Sequence, residues 1–533
     1  MHPATTCRIT SFGTLMVLDI VIISTYFIVI FTLGIVKRDD KKTTAHEYFL
    51  KSNTLRWPAI AFSTISTNIH AGHFIGMAGS AYLYGLVQAN FEINAILGIL
   101  IAAFVFIPLY LAASVTTISQ FFEQRLGSKV AFTYSILMIL LYGFLYLGST
   151  LFWGAYAINA IFAENIRFIH HDPMTRIFIL TILLGVFSAT YTYLGGMGAV
   201  VRTDMAQFAL MVIGGMILVT VTMKELGGWT MLYEKTPNLM HLHMPSDHPK
   251  LPWPALFGMM LLNLNYWGCN QIILQRALAA KNLYHAQVGL IVGGFLKYLM
   301  AFIIIIPGIA LVGILSNHPL SDPDLAYPTL IIELIPNGLK GIILCGLFAS
   351  LMSSVDSIFH SVSTLWSVDI YKKYIKPEAT DSEMVSMGRK GILGALCTGL
   401  FFAYVVTYVK FEDPNFALTH WFNEASYYIK NGFVFLIVCA VFLTSASKKL
   451  VFHTLIGSVG LTILLKWLAP DMNYLNRSTL IIISVILVVT IPTIVKNGSP
   501  QGWGKLLNVS TKKVGWFGGL LLGSLVLCHV VFH

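Results

Sequence analysis

Runs of eighteen or more mostly apolar residues recur along almost the whole chain, and no other feature limits its fold so severely. Each is long enough to cross a hydrocarbon layer of about 30 Å as a helix. Backbone polar groups in lipid must be paired within the protein, and runs of this length do so as helices. The chain therefore reads as an all-α polytopic membrane protein, one membrane domain with about fourteen transmembrane helices. They fall near 14–36, 57–82, 86–113, 130–163, 175–194, 199–222, 253–273, 285–315, 330–371, 385–409, 416–445, 450–468, 478–495 and 514–532. Charged residues are 11% of the 533, under half the share soluble domains use. The first run is too long for the apolar part of a cleaved signal, and "KRDDKK" follows it where small residues would mark cleavage. It reads as a retained anchor.

Most of the 34 Lys and Arg collect in alternate loops. Because cytoplasmic loops hold the excess of these residues, both termini are predicted extracytoplasmic, in a bacterial inner membrane or a plasma membrane. The net charge of +10 then reflects this bias and not a nucleic-acid surface. The cysteines, Cys7, Cys269, Cys345, Cys397, Cys439 and Cys528, show neither metal-ligand spacing nor a disulfide framework. Walker, dinucleotide and Gly-x-Ser-x-Gly motifs are absent from the sequence. ATP-driven pumping and hydrolysis lose their usual support, and no cofactor is expected.

Two spans are punctuated by small and polar residues: "STNIHAGHFIG" in the second and "NLNYWGCNQ" late in the seventh, five spans apart. A helix broken in the bilayer frees backbone groups, which protein or a water-filled cavity must pair. Two breaks at corresponding places in two halves point to a midplane site in a transporter.

Glu92 lies in a span, where a carboxylate costs at least about 2.5–3.5 kcal/mol. Two readings of it stand together: a salt bridge to Lys297, and a polar cavity in which the pair meets a polyhydroxylated ligand. His73 is either a paired core histidine or, with Asn68 on the helix broken at Gly72 and Gly76, part of that cavity. Asn, His, Glu and Lys without Arg suit neutral hydroxyls, since an acidic solute is more naturally met by an Arg fork. Ser353 and Ser354 are either back-bonded to the preceding turn or hard oxygen ligands for Na+. Asp356, one turn on, calls for a cation or a proton.

At these residues the chain resembles the solute:sodium symporter family, most closely its sodium/glucose cotransporter branch. The resemblance rests on "SNTLRWPAIAFSTISTNIHAGHFIGMAGS", "FEINA", "YLGGMGAVVRTDMAQ", "NYWGCNQIILQRALAAKN" and "LMSSVDSIFHSVSTLWSVDIYKKYI", in that order. It implies a LeuT-like core of two inverted five-helix repeats, residues 57–222 and 253–445. One helix (14–36) precedes the core and three (450–532) follow. By motif, the resemblance assigns the solute to Asn68, His73, Phe91, Glu92, Asn263, Tyr266, Trp267 and Lys297, with Tyr266 as an aromatic gate. It assigns sodium to the carbonyls of Ser66, Ile69 and Ser350 and the hydroxyls of Ser353 and Ser354, and places Asp204 near the inner sodium exit. Phe91 is equally readable as plain aromatic packing.

The chain departs from the branch at Asn423, aligned with a sugar-binding Gln, at Arg202 in place of an aromatic residue, and at Lys430 in an otherwise uncharged stretch. Asp356 stands where relatives have Thr, Ser or Ala, which suggests a second cation or a proton. The expected function is sodium-coupled import of a small neutral polyhydroxylated solute, such as glucose or galactose, by alternating access. Its partners are the solute, Na+ and the lipid bilayer. The alternatives are a same-fold symporter for myo-inositol or an amino acid, a sugar-gated channel or sensor, and, remotely, an intramembrane enzyme.

Overall fold

A computed structural model of the chain describes residues 17–36, 44–163, 165–248, 251–315, 320, 322–413, 418–498 and 506–532. Cys7 lies outside them. The described residues form helices and connecting turns, with one isolated parallel bridge, Leu55 to Ala280. The principal segments are α1 (Val17–Ile35), α2 (Trp57–Asn68), α3 (His73–Ala112), α4 (Ser128–Phe162), α5 (Pro173–Leu226), α6 (Ala255–Gly268) and α7 (Gln271–Leu278). They continue as α8 (Leu283–Ile314), α9 (Lys340–Ile375), α10 (Asp381–Glu412), α11 (Leu418–Phe442), α12 (Lys448–Leu468), α13 (Tyr474–Asn497) and α14 (Lys512–Val531).

Among the described residues, 11 helices are long and apolar enough to cross a membrane, fewer than the spans expected from hydropathy. The difference has local causes. The 54 residues of α5 would reach roughly 80 Å as one straight helix, far more than a bilayer. Gly196 breaks it at φ +54°, a conformation that a Cβ would strain, and a Cβ there would also lie 2.7 Å from the Tyr48 carbonyl oxygen. Gly85, at φ +75°, interrupts α3 in the same way. Conversely α2, α6 and α7 are too short to span, because the polar stretches end them early.

Burial separates centre from periphery. In the apolar window of α9, 94% of residues are buried, against 22% in α1 and in α14. The outer helices present bare apolar side chains such as Val495, Trp467 and Trp516, the reverse of a soluble surface. α9 packs along α5, while α2 lies against α5, α7 and α8. α6 packs on α3 and α11. Both short, interrupted segments therefore end inside the bundle.

Candidate functional site

α2 stops at Asn68 because Ile69 leaves helical geometry (φ −94°, ψ 109°), and the chain re-enters a helix through a wide π-type turn at His73–Met77. Two imidazoles take over the missing acceptors. The His70 N–H donates to His73 Nδ1 at 3.2 Å, and the Gly72 N–H donates to His70 Nδ1 at 3.1 Å. The rings meet edge-on, with centroids 4.2 Å apart. Gly72 is needed for this turn, since a Cβ there would stand 2.8 Å from the His70 ring.

The second interruption falls between α6 and α7. Its freed carbonyls are paired by tyrosines: Tyr110 donates to the Gly268 oxygen and Tyr134 to that of Cys269. Asn270 caps α7 by accepting the Ile272 N–H at 3.1 Å, and Tyr142 donates to the same Asn270 oxygen at 2.6 Å. Membrane-depth backbone is thus re-satisfied within the protein.

Asn68 joins the two breaks. Its Nδ2 donates to the Tyr266 hydroxyl at 2.7 Å, and its Oδ1 accepts from the Lys297 ammonium. Lys297 also pairs with Glu92, whose other oxygen lies 3.6 Å from His73 Nε2. Because His73 Nδ1 accepts from a backbone N–H, the neutral ring carries its proton on Nε2, facing Glu92. Asn68, His73, Glu92, Tyr266 and Lys297 therefore form one cluster, and the ion pair read from the sequence is present.

The other expected solute residues surround this cluster less directly. Trp267 is buried, and a Cβ on Gly98 would lie 2.7 Å from its indole, so that glycine lets α6 approach α3. Asn263 Nδ2 and Trp267 Nε1 are buried and unpaired. Phe91 is half-buried in an apolar cluster with Tyr427, Met259 and Leu262. Asn423 is half-buried on α11 and, among the described residues, makes no hydrogen bond to the cluster; its carbonyl accepts from Ser426 at 2.8 Å.

Of the expected sodium ligands, Ser66 and Ile69 lie at the end of α2, and Ser350, Ser353 and Ser354 lie on α9, which Ser354 ties to α2. Ser354 donates to the Thr67 carbonyl at 3.0 Å, and Ser353 donates to Asp204 Oδ1 at 2.5 Å. Each hydroxyl has spent its proton and keeps lone pairs for a cation. Ser66 Oγ is buried without a partner, and the helix C-terminus carries partial negative charge. Ser350 back-bonds to Leu347 at 2.8 Å, leaving its carbonyl as the group of interest. This donor set of neutral hard oxygens suits Na+.

The sequence reading missed Arg276. Its guanidinium lies 3.2 Å from Asp204 Oδ2, an oxygen that also accepts from Ser63 at 2.5 Å, and it donates to Ser357. Thr67 and Ser357 share a hydrogen bond of 2.9 Å. A charge in "IILQRAL" at membrane depth was the available signal. Asp204 is thus tied at once to Arg276 and to Ser353. Asp356 faces elsewhere: Ser188 and Tyr191 donate to it, and Thr192 does so at 3.3 Å, all from the first half of α5.

Residues 48–457 match the Sodium:solute symporter family. The chain is 34% identical over 428 residues to sodium/glucose cotransporter 1 of Sus scrofa, covering 73% of this chain and 62% of that protein. It is 29% identical over 519 residues to the sodium/glucose cotransporter of Vibrio parahaemolyticus, covering 91% and 92%. It is 28% identical over 527 residues to sodium/myo-inositol cotransporter 2 of Oryctolagus cuniculus, covering 89% and 76%. The match thus spans under two thirds of the pig protein. The fold is shared with a Na+-coupled sialic acid symporter in a substrate-bound outward-open state, at a TM-score of 0.78 and 18% identity, over 92% of this chain and 100% of that one. These relatives are membrane transporters, not enzymes.

Proposed function

The chain belongs to the sodium:solute symporter family, and from that premise we propose that it imports a small polyhydroxylated solute of the sugar type, driven by sodium. Glucose, galactose and myo-inositol are the first candidates, since relatives are named for glucose and myo-inositol. The observation that carries the reading is an adjacency. The Thr67 carbonyl meets Ser354 at the proposed ion site, and the next side chain, Asn68, meets Tyr266 and Lys297 at the proposed solute site.

A cation held by the Ser66 and Ile69 carbonyls, the Ser350 carbonyl and the Ser353 and Ser354 hydroxyls fixes the broken end of α2. That end in turn orients Asn68 toward the solute. His73, Glu92, Lys297 and Asn263 supply further hydrogen bonds, while Phe91, Trp267 and Tyr266 supply aromatic faces. Coupling of this kind is reciprocal, so each ligand raises the affinity for the other by the same factor. The repeats 57–222 and 253–445 then rock against one another and open the site inward. With both termini outside, inward sodium movement gains about 2.3 kcal/mol per charge per 100 mV, more than a tenfold accumulation of a neutral solute at about 1.4 kcal/mol per tenfold.

Uptake of radiolabelled solute into proteoliposomes under an imposed sodium gradient tests the reading. Accumulation above equilibrium that stops when choline replaces sodium supports it. Equal uptake in choline, or conduction without accumulation, overturns it.

A further inference from the structure

Lys430 is 8% exposed on α11, at membrane depth, and no carboxylate pairs with it among the described residues. Its ammonium sits 4.9 Å from the centroid of the Tyr146 ring and 5.0 Å from that of Tyr427. Aromatic faces attract a cation but offset only part of the cost of burying one. Of the other buried cations, Lys297 pairs with Glu92, Arg276 with Asp204 and Arg477 with Glu424, and Arg176 and Lys340 donate to neutral oxygens of Asn159, His170 and Ile332, whereas Lys430 meets only the two rings among the described residues.

The position is beside the proposed solute site. Tyr146 packs on Tyr142 with centroids 5.8 Å apart, and Tyr142 donates to Asn270 at the second interruption. Tyr427 shares its apolar cluster with Phe91. The neighbouring Asn431 is buried with both side-chain polar atoms unpaired. In the cluster, Glu92 balances Lys297, and His73 accepts at Nδ1 as a neutral ring does. Lys430 leaves one positive charge over.

We infer that Lys430 is a specificity determinant that receives an acidic group on the solute, so that sugar acids, with hydroxyls and one carboxylate, bind in preference to neutral sugars. The inference rests on the proposed sodium-driven uptake of sugar-type solutes and refines its substrate class. It also revises the expectation from the sequence that the site suits neutral hydroxyls and that an acidic solute is more naturally met by an Arg fork: a point charge held between two rings serves a single carboxylate oxygen. One sodium and one sugar acid would together be neutral, whereas one sodium with a neutral sugar carries a net charge.

The test is competition in proteoliposomes, with D-glucuronate, D-galacturonate and D-gluconate against glucose, galactose and myo-inositol, in wild type and in Lys430→Gln, Lys430→Met and Lys430→Arg. Wild type is expected to favour a sugar acid by roughly tenfold or more, the range of a hydrogen bond to a charged group. Gln and Met should abolish the preference without moving half-saturating sodium, and Arg should keep it. Uptake of the acid should depend on membrane potential by one charge less per solute than uptake of a neutral sugar. Sodium-driven uptake of neutral sugars with no response to the acids, or a preference unchanged in Lys430→Gln and Lys430→Met, overturns this inference and leaves the symport reading standing. Failure of sodium to drive uptake of either class overturns both.

Discussion

The Asn68 side-chain amide and the Tyr266 hydroxyl lie 2.7 Å apart, across the interface between the two interrupted segments. Asn68 is the last residue of α2, and Tyr266 sits one turn before the break that follows α6. A movement of either segment changes this contact, so it reports the relative position of the two segments as well as the shape of the proposed solute site.

Tyr266→Phe should leave the Asn68 amide unpaired while keeping the ring. An unmet buried donor costs about 1–3 kcal/mol, or roughly 5- to 150-fold in half-saturating solute if the bond is made in the solute-bound form. Initial uptake rates against solute concentration at saturating sodium check it. An unchanged half-saturation would assign the Tyr266 hydroxyl to packing.

Glu92→Gln should destabilise the fold more than it alters any single contact, because Lys297 is then a buried cation without its counter-charge. Breaking such a pair costs about 3–5 kcal/mol. Adding Lys297→Met should recover much of the stability, with uptake still lost. Thermal unfolding in detergent separates the two effects: recovery of stability and uptake together would make the pair purely structural.

Ser354→Ala should raise half-saturating sodium by roughly tenfold or more, since it removes one proposed ligand and leaves the Thr67 carbonyl without its donor. At subsaturating sodium, apparent solute affinity should fall with it, as reciprocal coupling requires. Sodium titrations of uptake at two solute concentrations give both quantities.

The breaks were legible in the sequence because Gly, Asn and His are costly in the middle of a continuous membrane helix, and Glu92 predicted Lys297 by charge balance alone. The division of the long apolar stretches was legible as well: the expected spans part at 82/86 and 194/199, where Gly85 and Gly196 take positive φ, so hydropathy reads two spans where helix length alone gives one. The segment from α6 to α7 is divided by Cys269 and Asn270. Arg276 escaped because the expected seventh span ends at 273, which leaves it in a loop, whereas the structure buries it in α7 against Asp204. Asp356 follows Ser353 by one helical turn, yet its hydroxyl partners come from α5. Which neighbour faces a buried carboxylate is decided by helix packing, about which one helix's sequence says nothing.

Asp324, outside the spanning helices, gives a pH dependence with a definite sign. Burial first, and then the charge of Asp322, push its carboxyl up to about 6 from an ordinary value of 3.8. Between those values the folded state holds a proton that the unfolded state has released, so stability falls as pH rises through about 6. The turn at Pro323–Leu325, packed on Gly79, should therefore protect its amides better near pH 4–5 than at pH 7. Hydrogen exchange over residues 322–329 checks this, and Asp324→Asn should hold the protection level across the range.

Asp356→Asn tests whether the second carboxylate of this region moves with the transport cycle. Ser188, Tyr191 and Thr192 all donate to Asp356, so its charge is met by hydroxyl dipoles and, among the described residues, by no direct ion pair. A carboxylate in that setting is proposed to be completed by a proton or a second cation. An amide has one acceptor oxygen and cannot hold either charge, though it can still accept from Ser188 or Tyr191. If the ion is transported, the number of charges moved per solute should fall by one in Asp356→Asn, with the fold retained. Parallel measurement of solute uptake and net charge movement at fixed potential reads this number directly. A ratio equal to that of wild type would make Asp356 a hydrogen-bonding tie between α5 and α9, which the three hydroxyl contacts alone can sustain.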